Sequence, residues 1–215
     1  MPKQPAAPGA APEPPTRRER ERAGRHALII STARELAEAE GWEAVTTRRL
    51  AERIEYSQPV LYSHFASKNE IAAAVAVEGF AELAAVLRAR RTAADGERAA
   101  MTAVATAYLD FGRENPALYD AMFILRTDLP FGGPDAPAPL VEAFTELAAA
   151  CAPWAGGAPA ELFTETVWSA LHGLVALERS GRLRPDLAGG RLTLLLARLT
   201  SDPERKPGAP GGRRR

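Results

Sequence analysis

The sequence predicts an all-α protein with a small N-terminal helical domain and a larger C-terminal one. Apolar residues recur at helical spacing in successive segments between residues 20 and 199, and clusters of Pro and Gly separate these segments. No segment sustains the alternation of apolar and polar residues that a half-buried strand needs. We expect domains at residues 20–82 and 83–200, between a disordered arm at residues 1–19 and a disordered basic tail at residues 201–215.

The composition is that of an ordinary globular protein and excludes several other classes. Of the 215 residues, 46% are hydrophobic, and no run approaches the roughly 18 apolar residues of a membrane span. The N-terminus has no basic segment followed by an apolar one, so nothing indicates secretion. The one cysteine, Cys151, rules out an intramolecular disulfide and fits a reducing cytosol. We expect a cytoplasmic protein without membrane contact, in which Cys151 is a buried structural thiol rather than a redox sensor.

The formal net charge is zero, but the charges are unevenly distributed. Residues 16–25 hold five arginines against two glutamates, and residues 201–215 hold five basic residues against two acidic ones. An arginine-rich stretch beside a helix is either a solvated face or a contact to phosphates or the minor groove of DNA. Both interpretations stay open for residues 16–25.

The first helix is expected to run from Arg20 to Glu40, because Gly41 supplies a stop signal directly after it. Trp42 and Val45 then fold back as the hydrophobic contacts that close a three-helix unit. The apolar stripe of this first helix comprises Leu28, Ile29, Thr32, Ala33, Leu36 and Ala37.

Residues 46–70 hold two short helical patterns joined by a tight turn. The first ends near Ile54, and the second opens at Ser57, a good N-cap residue. Leu61 and Phe65 give the second helix its buried pair, which leaves a face of mostly polar or aromatic side chains exposed. Two such helices, the second with an exposed face of hydrogen-bonding groups, are typical of a helix-turn-helix that reads DNA.

A fourth helix is expected to start after Ser67, because Ser67 and Glu70 have the spacing of a capping box. It runs to about Thr92. Lys68 stands at its first position, where the helix dipole disfavours a cation. That placement suggests an anionic partner outside the protein, such as a phosphate, and the alternative is a solvated lysine.

Five further helices are expected, at residues 97–114, 116–125, 139–152, 159–180 and 187–199. The fourth of these is apolar on more than one face, so it must be buried on most sides. A second copy of the chain is the simplest cover, which predicts a two-fold dimer built from two helices per subunit. The alternative is the central helix of a monomeric bundle. The expected dimer contacts are Leu171, Leu174, Val175, Leu192, Leu195, Leu196 and Leu199.

The segments TTRRLAERI and SQPVLYSHFASKNEI resemble the DNA-binding domain of TetR-type transcriptional regulators over about residues 20–75. The segment AYLDFGRENPALYDAMF, together with Trp168, His172 and Gly173, resembles the C-terminal class of that family named for a Trp–His–Gly motif. The resemblance implies a homodimer that binds double-stranded operator DNA, and a repressor that a small molecule releases.

The resemblance also implies roles for single residues of the helix-turn-helix. Arg48 and Gln58 would read base edges and Pro59 would meet a thymine methyl group, while the polar side chains around them and Lys68 would bind phosphates. The family usually has glycine in the turn where this chain has Glu55, and a non-Gly residue in a left-handed turn costs roughly 1 kcal/mol. The full expected DNA interface is Thr47, Arg48, Gln58, Pro59, Val60, Tyr62, Ser63, His64 and Lys68.

A small-molecule effector is expected to bind among the helices of residues 97–180. Two rival functions stay open: a DNA-binding or interaction protein without an effector, and an all-α enzyme. Against the enzyme, the sequence shows no nucleophile, carboxylate pair or metal-ligand spacing, so no catalytic residue, metal or cofactor is expected. The candidate pocket residues are Tyr108, Phe111, Tyr119, Met122, Phe144, Trp168 and His172, each of which could instead be plain core packing.

Overall fold

The computed structural model describes residues 15–201, and the regular structure within that range is entirely helical. The all-α prediction is therefore confirmed. The helices are α1 (Arg17–Glu40), α2 (Thr47–Arg53), α3 (Gln58–Tyr62), α4 (Lys68–Thr92), α5 (Glu97–Glu114), α6 (Pro116–Phe123), α7 (Ala138–Cys151), α8 (Ala160–Arg179) and α9 (Ala188–Leu199). Single 3-10 turns lie at Trp42–Ala44, Ala152–Trp154 and Pro185–Leu187.

Helix α1 begins at Arg17, three residues before its expected start. The side chain of Thr16 accepts a hydrogen bond from the Glu19 N–H, and the Glu19 carboxylate accepts one from the Thr16 N–H, which forms a capping box. The arginine-rich stretch is therefore part of the helix rather than of an arm. The remainder of the expected arm and all but the first residue of the expected tail lie outside the described residues.

Helices α1 to α3 enclose a small core that closes as the sequence predicts. Trp42, Val45, Leu50, Leu61 and Phe65 are all buried. One detail of the stripe on α1 is wrong: Leu28 is 41% exposed, and Ile30, two residues further along the chain, is buried instead.

Helix α4 joins the two halves of the protein. It packs on α1, α5, α6 and α7. Gly79 allows the approach of α6, because a Cβ at that position would lie 2.7 Å from Met122 Sδ and 2.8 Å from Leu118 Cδ1. With 25 residues, the helix is about 37 Å long and spans the molecule from one domain to the other.

Helix α8 buries only one face within the chain, formed by Thr164, Val167, Leu171 and Val175. Three of the expected dimer contacts are therefore wrong, because Leu171, Val175 and Leu196 lie in the core of the single chain. The other four, Leu174, Leu192, Leu195 and Leu199, are only partly buried and pack against the edge of that core.

Cys151 is fully buried at the end of α7. Burial raises the pKa of its thiol to about 11, although a hydrogen bond with Thr164 opposes that shift. A buried thiol of this kind stays protonated and unreactive at neutral pH, as a structural cysteine does. Within residues 15–201, no helix is both long and apolar enough to cross a membrane.

Candidate DNA-reading surface and effector pocket

Helices α2 and α3 meet at a tight turn whose geometry follows from a few side chains. Thr46 caps α2 by accepting a hydrogen bond from the Arg49 N–H at 3.2 Å. Pro59 lies in the first turn of α3, where a backbone N–H has no acceptor within the helix, so the N–H that proline lacks costs no hydrogen bond. Glu55 adopts φ 58°, so it occupies the left-handed position in which the family usually has glycine. The turn therefore forms without glycine, at the cost of about 1 kcal/mol of backbone strain.

The side chains expected to meet DNA differ in their exposure. Arg48, Gln58, Pro59, Tyr62 and Ser63 are exposed. The other four expected contacts are half-buried: Thr47, Val60, His64 and Lys68.

Some of these side chains are held by contacts within the protein. The Tyr62 hydroxyl lies 3.4 Å from Thr47 Oγ1 and links the first turn of α2 to the end of α3. Arg48 Nε donates to Glu52 Oε1 at 2.9 Å. Both members of that ion pair are well exposed, so the pairing is weak and leaves Arg48 available to a base.

Lys68 has a partner that its sequence position did not suggest. Its ammonium group donates a hydrogen bond to the Trp42 carbonyl in the 3-10 turn between α1 and α2. The half-buried ammonium therefore fastens the start of α4 to helices α1 to α3, which we call the reading domain. A phosphate contact would use the remaining N–H bonds of the group, and it stays a prediction.

The N-terminal half of α1 adds positive charge beside α3. The His64 ring lies 6.1 Å from the His26 ring, which stacks on Phe65 at 4.4 Å. Burial lowers the pKa of His64, and the nearby His26, Arg22 and Arg25 lower it further. His64 is therefore neutral in the free protein at pH 7. Arg22 and Arg25 of α1 lie near enough to affect His64, so they add positive charge at the end of α3.

A pocket of about 460 Å³ lies in the C-terminal domain between α4, α7, α8 and the loop before α7. Its walls are mainly aliphatic and aromatic, as in most small-molecule sites. The lining side chains that bear on the argument are Phe80, Leu83, Leu87, Tyr108, Phe123, Phe131, Leu140, Phe144, Leu147, Glu161, Glu165 and Trp168.

Three of the seven expected pocket residues line it: Tyr108, Phe144 and Trp168. The other four predictions are wrong for this pocket. Phe111 and Met122 are core residues with 6% and 1% exposure. Tyr119 lies behind Tyr108, and His172 lies behind Tyr119.

Four of these side chains form a hydrogen-bonded chain that runs from the pocket wall into the core. Trp168 Nε1 lies 2.9 Å from the Tyr108 hydroxyl, that hydroxyl lies 2.9 Å from the Tyr119 hydroxyl, and the latter lies 2.7 Å from His172 Nδ1. Indole can only donate, so each hydroxyl hydrogen has an acceptor when Trp168 donates to Tyr108, Tyr108 to Tyr119, and Tyr119 to His172.

The protonation states of these four side chains agree with that direction of hydrogen-bond donation. Burial raises the pKa of Tyr108 to about 12, and burial also raises the pKa of Tyr119, with Tyr108 adding to the shift. Burial lowers the pKa of His172, and the positive charge of Arg179 lowers it further. All four groups are therefore neutral at pH 7, and His172 presents an unprotonated Nδ1.

Sequence reasoning missed Phe80, Phe123, Phe131, Glu161 and Glu165 as pocket residues. A signal was available for the two glutamates, because positions 161, 165 and 168 share one face of a helix. No local signal could identify the three phenylalanines, since they come from α4, α6 and the loop before α7.

Sequence reasoning also missed the junction between the two domains. Glu38 of α1 accepts hydrogen bonds from the Ala117 and Leu118 N–H groups at the start of α6, at 3.1 and 2.9 Å. Trp42 Nε1 donates to the Ala117 carbonyl at 2.7 Å, and Arg34 donates to the Asn115 side chain at 3.1 Å. The reading domain is thus attached to the first turn of α6 by buried or partly buried polar contacts.

Two family models match the chain. The one described as "Bacterial regulatory proteins, tetR family" matches residues 29–75, and the one described as "Tetracyclin repressor-like, C-terminal domain" matches residues 101–199. The chain belongs to the TetR family. Members of the TetR family are transcriptional regulators rather than enzymes, which confirms the DNA-binding regulator predicted from residues 46–70. The finer resemblance to the Trp–His–Gly class stays a prediction.

Two bacterial relatives are described as transcriptional regulators. The chain is 29% identical to the uncharacterized HTH-type transcriptional regulator Rv0681 of Mycobacterium tuberculosis, over 83% of this chain and 81% of that protein. It is 33% identical to the uncharacterized HTH-type transcriptional regulator YobS of Bacillus subtilis, over 45% of this chain and only half the length of that relative. The solved structure of the putative regulatory protein SCO4313 is similar with a TM-score of 0.61 and 25% identity, over 86% of this chain and 97% of that chain.

The two histidines of the candidate sites contact other side chains of the protein. Within the part of the chain that the structure describes, no three His, Cys, Asp or Glu side chains cluster closely enough to hold an ion. His64 packs beside His26 and the arginines of α1, and His172 accepts from Tyr119.

Proposed function

We propose that the protein is a ligand-responsive repressor that binds a palindromic operator as a homodimer and leaves it when a small molecule fills the pocket. The observation that carries the proposal is that one helix serves both sites. Helix α4 begins at Lys68, which is bonded to the Trp42 carbonyl of the reading domain, and its later residues Phe80, Leu83 and Leu87 form one wall of the pocket. A ligand that moves this wall moves the reading domain as well.

The proposal assigns sequence reading to Arg48, Gln58 and Pro59. Arg48 offers paired donors for guanine, Gln58 offers a donor and an acceptor for adenine, and Pro59 offers an apolar surface for a thymine methyl group. All three are exposed. The phosphate contacts fall to Thr47, Tyr62 and the residues around them, which frame the reading face.

The dimer is assigned to an apolar stripe on α8 and α9. The stripe consists of the partly exposed Leu174, Leu177, Leu192, Leu195 and Leu199. In a single chain it leaves apolar surface in contact with water, and Leu177 alone is 41% exposed. A two-fold contact would bury the same stripe of both subunits and hold the two reading domains at a fixed spacing.

Sedimentation of matched variants tests the dimer. Leu177→Glu places a charge on the stripe, whereas Leu28→Glu places one on α1 at a site with the same 41% exposure. We expect wild type and Leu28→Glu to sediment as dimers at micromolar concentration, and Leu177→Glu to sediment as a monomer. A monomeric wild type, or a dimeric Leu177→Glu, contradicts this assignment.

Selection of bound sequences from random DNA tests the operator. We expect a palindrome whose half-sites lie about one helical turn, roughly 34–36 Å, apart. A thermal-shift screen then identifies ligands, and fluorescence anisotropy with the selected operator shows whether a stabilising ligand lowers its affinity. Ligands that bind without changing operator affinity would favour the effector-independent alternative.

A further inference from the structure

The pocket has an unusual combination of aromatic walls and charge. Six aromatic side chains line it, and their rings lie close to one another: Phe80 is 5.4 Å from Phe123 and 5.9 Å from Phe131, and Phe123 is 5.9 Å from Trp168. No lysine, arginine or histidine is among the lining residues. The charged lining residues are two carboxylates, Glu161 and Glu165.

Glu161 and Glu165 lie one turn apart on α8, and both are exposed. Neither side chain makes an ion pair or a hydrogen bond with any residue between 15 and 201. The carboxylates on the neighbouring α7 differ, because Glu142 and Glu146 are both paired with Arg88 of α4. The negative charge at the pocket is therefore not neutralised by the part of the protein that the structure describes.

The other polar groups of the lining are already satisfied. Trp168 Nε1 donates to the Tyr108 hydroxyl, and that hydroxyl donates onward to Tyr119. The two carboxylates are thus the lining side chains whose polar groups stay free to orient a ligand. Together with the aromatic faces, whose electron-rich surfaces attract cations, they set the sign of the charge that the pocket accepts.

We propose that the pocket binds a hydrophobic cation, meaning an amine, quaternary ammonium or phosphonium that carries bulky apolar or aromatic groups. The apolar groups fill the volume of about 460 Å³ between α4, α7 and α8. The cationic centre lies between the aromatic faces and the carboxylates of Glu161 and Glu165. An anion of the same shape meets two unneutralised like charges and no cationic side chain in the lining. This inference rests on the proposal that the pocket is the effector site.

A pair of ions with equal shape and opposite charge tests the inference. Tetraphenylphosphonium and tetraphenylborate are each titrated into the full chain by isothermal calorimetry at fixed ionic strength. A unit charge a few ångströms from a carboxylate at a partly wet site is attracted or repelled strongly enough to change affinity tenfold or more. We therefore expect the phosphonium to bind at least tenfold more tightly than the borate.

Two variants locate the source of that preference. In Glu161→Gln/Glu165→Gln, the shape of the pocket is kept and we expect the preference for the phosphonium to fall at least tenfold. Glu142→Gln removes an equally exposed carboxylate that belongs to the neighbouring helix but does not line the pocket, so its preference should stay within about twofold of wild type. Equal binding of both ions, tighter binding of the borate, no binding of either, or an unchanged preference in the double variant overturns the inference.

Operator release is a separate measurement from binding. If the phosphonium binds with the expected preference but leaves operator affinity unchanged, the charge of the ligand is correctly assigned and the effector mechanism fails. If an anionic or neutral compound binds in the pocket and releases the operator while the phosphonium does not bind, the effector mechanism stands and the assigned charge is wrong.

Discussion

Glu38 is the residue whose removal best tests how the two domains are joined. Its carboxylate accepts hydrogen bonds from the Ala117 and Leu118 N–H groups in the first turn of α6, at 3.1 and 2.9 Å. Helix α6 has no other cap there, because the Asn115 side chain makes no capping hydrogen bond and Pro116 has no N–H. A residue of α1 therefore satisfies donors that α6 would otherwise leave unpaired.

The expected cost of Glu38→Ala follows from that role. Loss of an N-cap costs about 0.5–2 kcal/mol, and loss of a negative charge at a helix N-terminus costs about 0.3–1 kcal/mol. Glu38 is exposed, so water replaces part of the interaction. We expect a loss of about 1–2 kcal/mol in the free energy of unfolding, which lowers the Tm of a chain this size by roughly 2–4 °C per kcal/mol.

Urea denaturation of two alanine variants on the same helix gives the measurement. Glu35 is also exposed on α1 and has no partner within residues 15–201, so Glu35→Ala should change the free energy of unfolding by less than about 0.5 kcal/mol. If Glu38→Ala and Glu35→Ala cost the same, the carboxylate does not cap α6. A second readout concerns coupling: Glu38→Ala should reduce the factor by which a bound ligand lowers operator affinity, with ligand affinity itself little changed.

Three further predictions concern the reading helix, the helix pair α4–α7 and the buried histidine. Gln58→Ala should relax base preference at one operator position and cost about 1–3 kcal/mol on the preferred site, and an unchanged preference in a binding selection means that another side chain reads that base. Glu146 is buried, which by itself raises its pKa, but hydrogen bonds from two arginines of α4 outweigh burial and lower the pKa. Glu146→Gln should therefore lower the free energy of unfolding at pH 7 by about 2–3 kcal/mol in urea denaturation. Glu142→Gln, at the exposed end of the same cluster, should lower it by under about 0.5 kcal/mol. The pKa of His172 in the folded protein lies below its ordinary value of 6.5. As the pH falls, this histidine is therefore protonated in the unfolded chain before it is protonated in the folded one. Wild type should lose stability as the pH falls through 6.5 and below. His172→Gln, which keeps an acceptor for Tyr119, should lose less over the same range, and parallel pH profiles would show that His172 does not titrate in this way.

The reading domain could be predicted from sequence because its signals are local. The caps at Thr46 and Ser67, the proline in the first turn of α3 and the left-handed position of Glu55 are each specified within a few residues. The buried pair Leu61 and Phe65 then fixes which face of α3 turns inward. The exposed face follows by elimination, so the same pattern indicates both the fold and the surface that meets DNA.

The pocket and the dimer stripe depend on long-range packing, which explains the errors there. Helical periodicity shows that α8 is apolar on two sides, but it does not show which side meets α5 and which is left uncovered. Leu171 and Val175 belong to the inner side, while Leu174 and Leu177 belong to the outer side. In the same way, the sequence indicates Tyr108 and Tyr119 equally as pocket residues, and only the fold shows that Tyr108 lies between Tyr119 and the pocket.

The length of α4 explains how a modest change at the pocket alters reading of the operator. Phe80 and Leu87 at the pocket and Lys68 at the reading domain belong to one helix without a break. A tilt of about 3° moves the far end of a helix about 37 Å long by roughly 2 Å. Base-edge hydrogen bonds tolerate shifts of only a few tenths of an ångström, whereas long basic side chains follow a phosphate over a larger distance. A ligand that favours the tilted state should therefore remove contacts from Gln58 and Arg48 before it removes phosphate contacts. The liganded protein should keep its weaker, salt-dependent affinity for unrelated DNA while it loses preference for the operator, and a ligand that lowered both affinities equally would require a different mechanism.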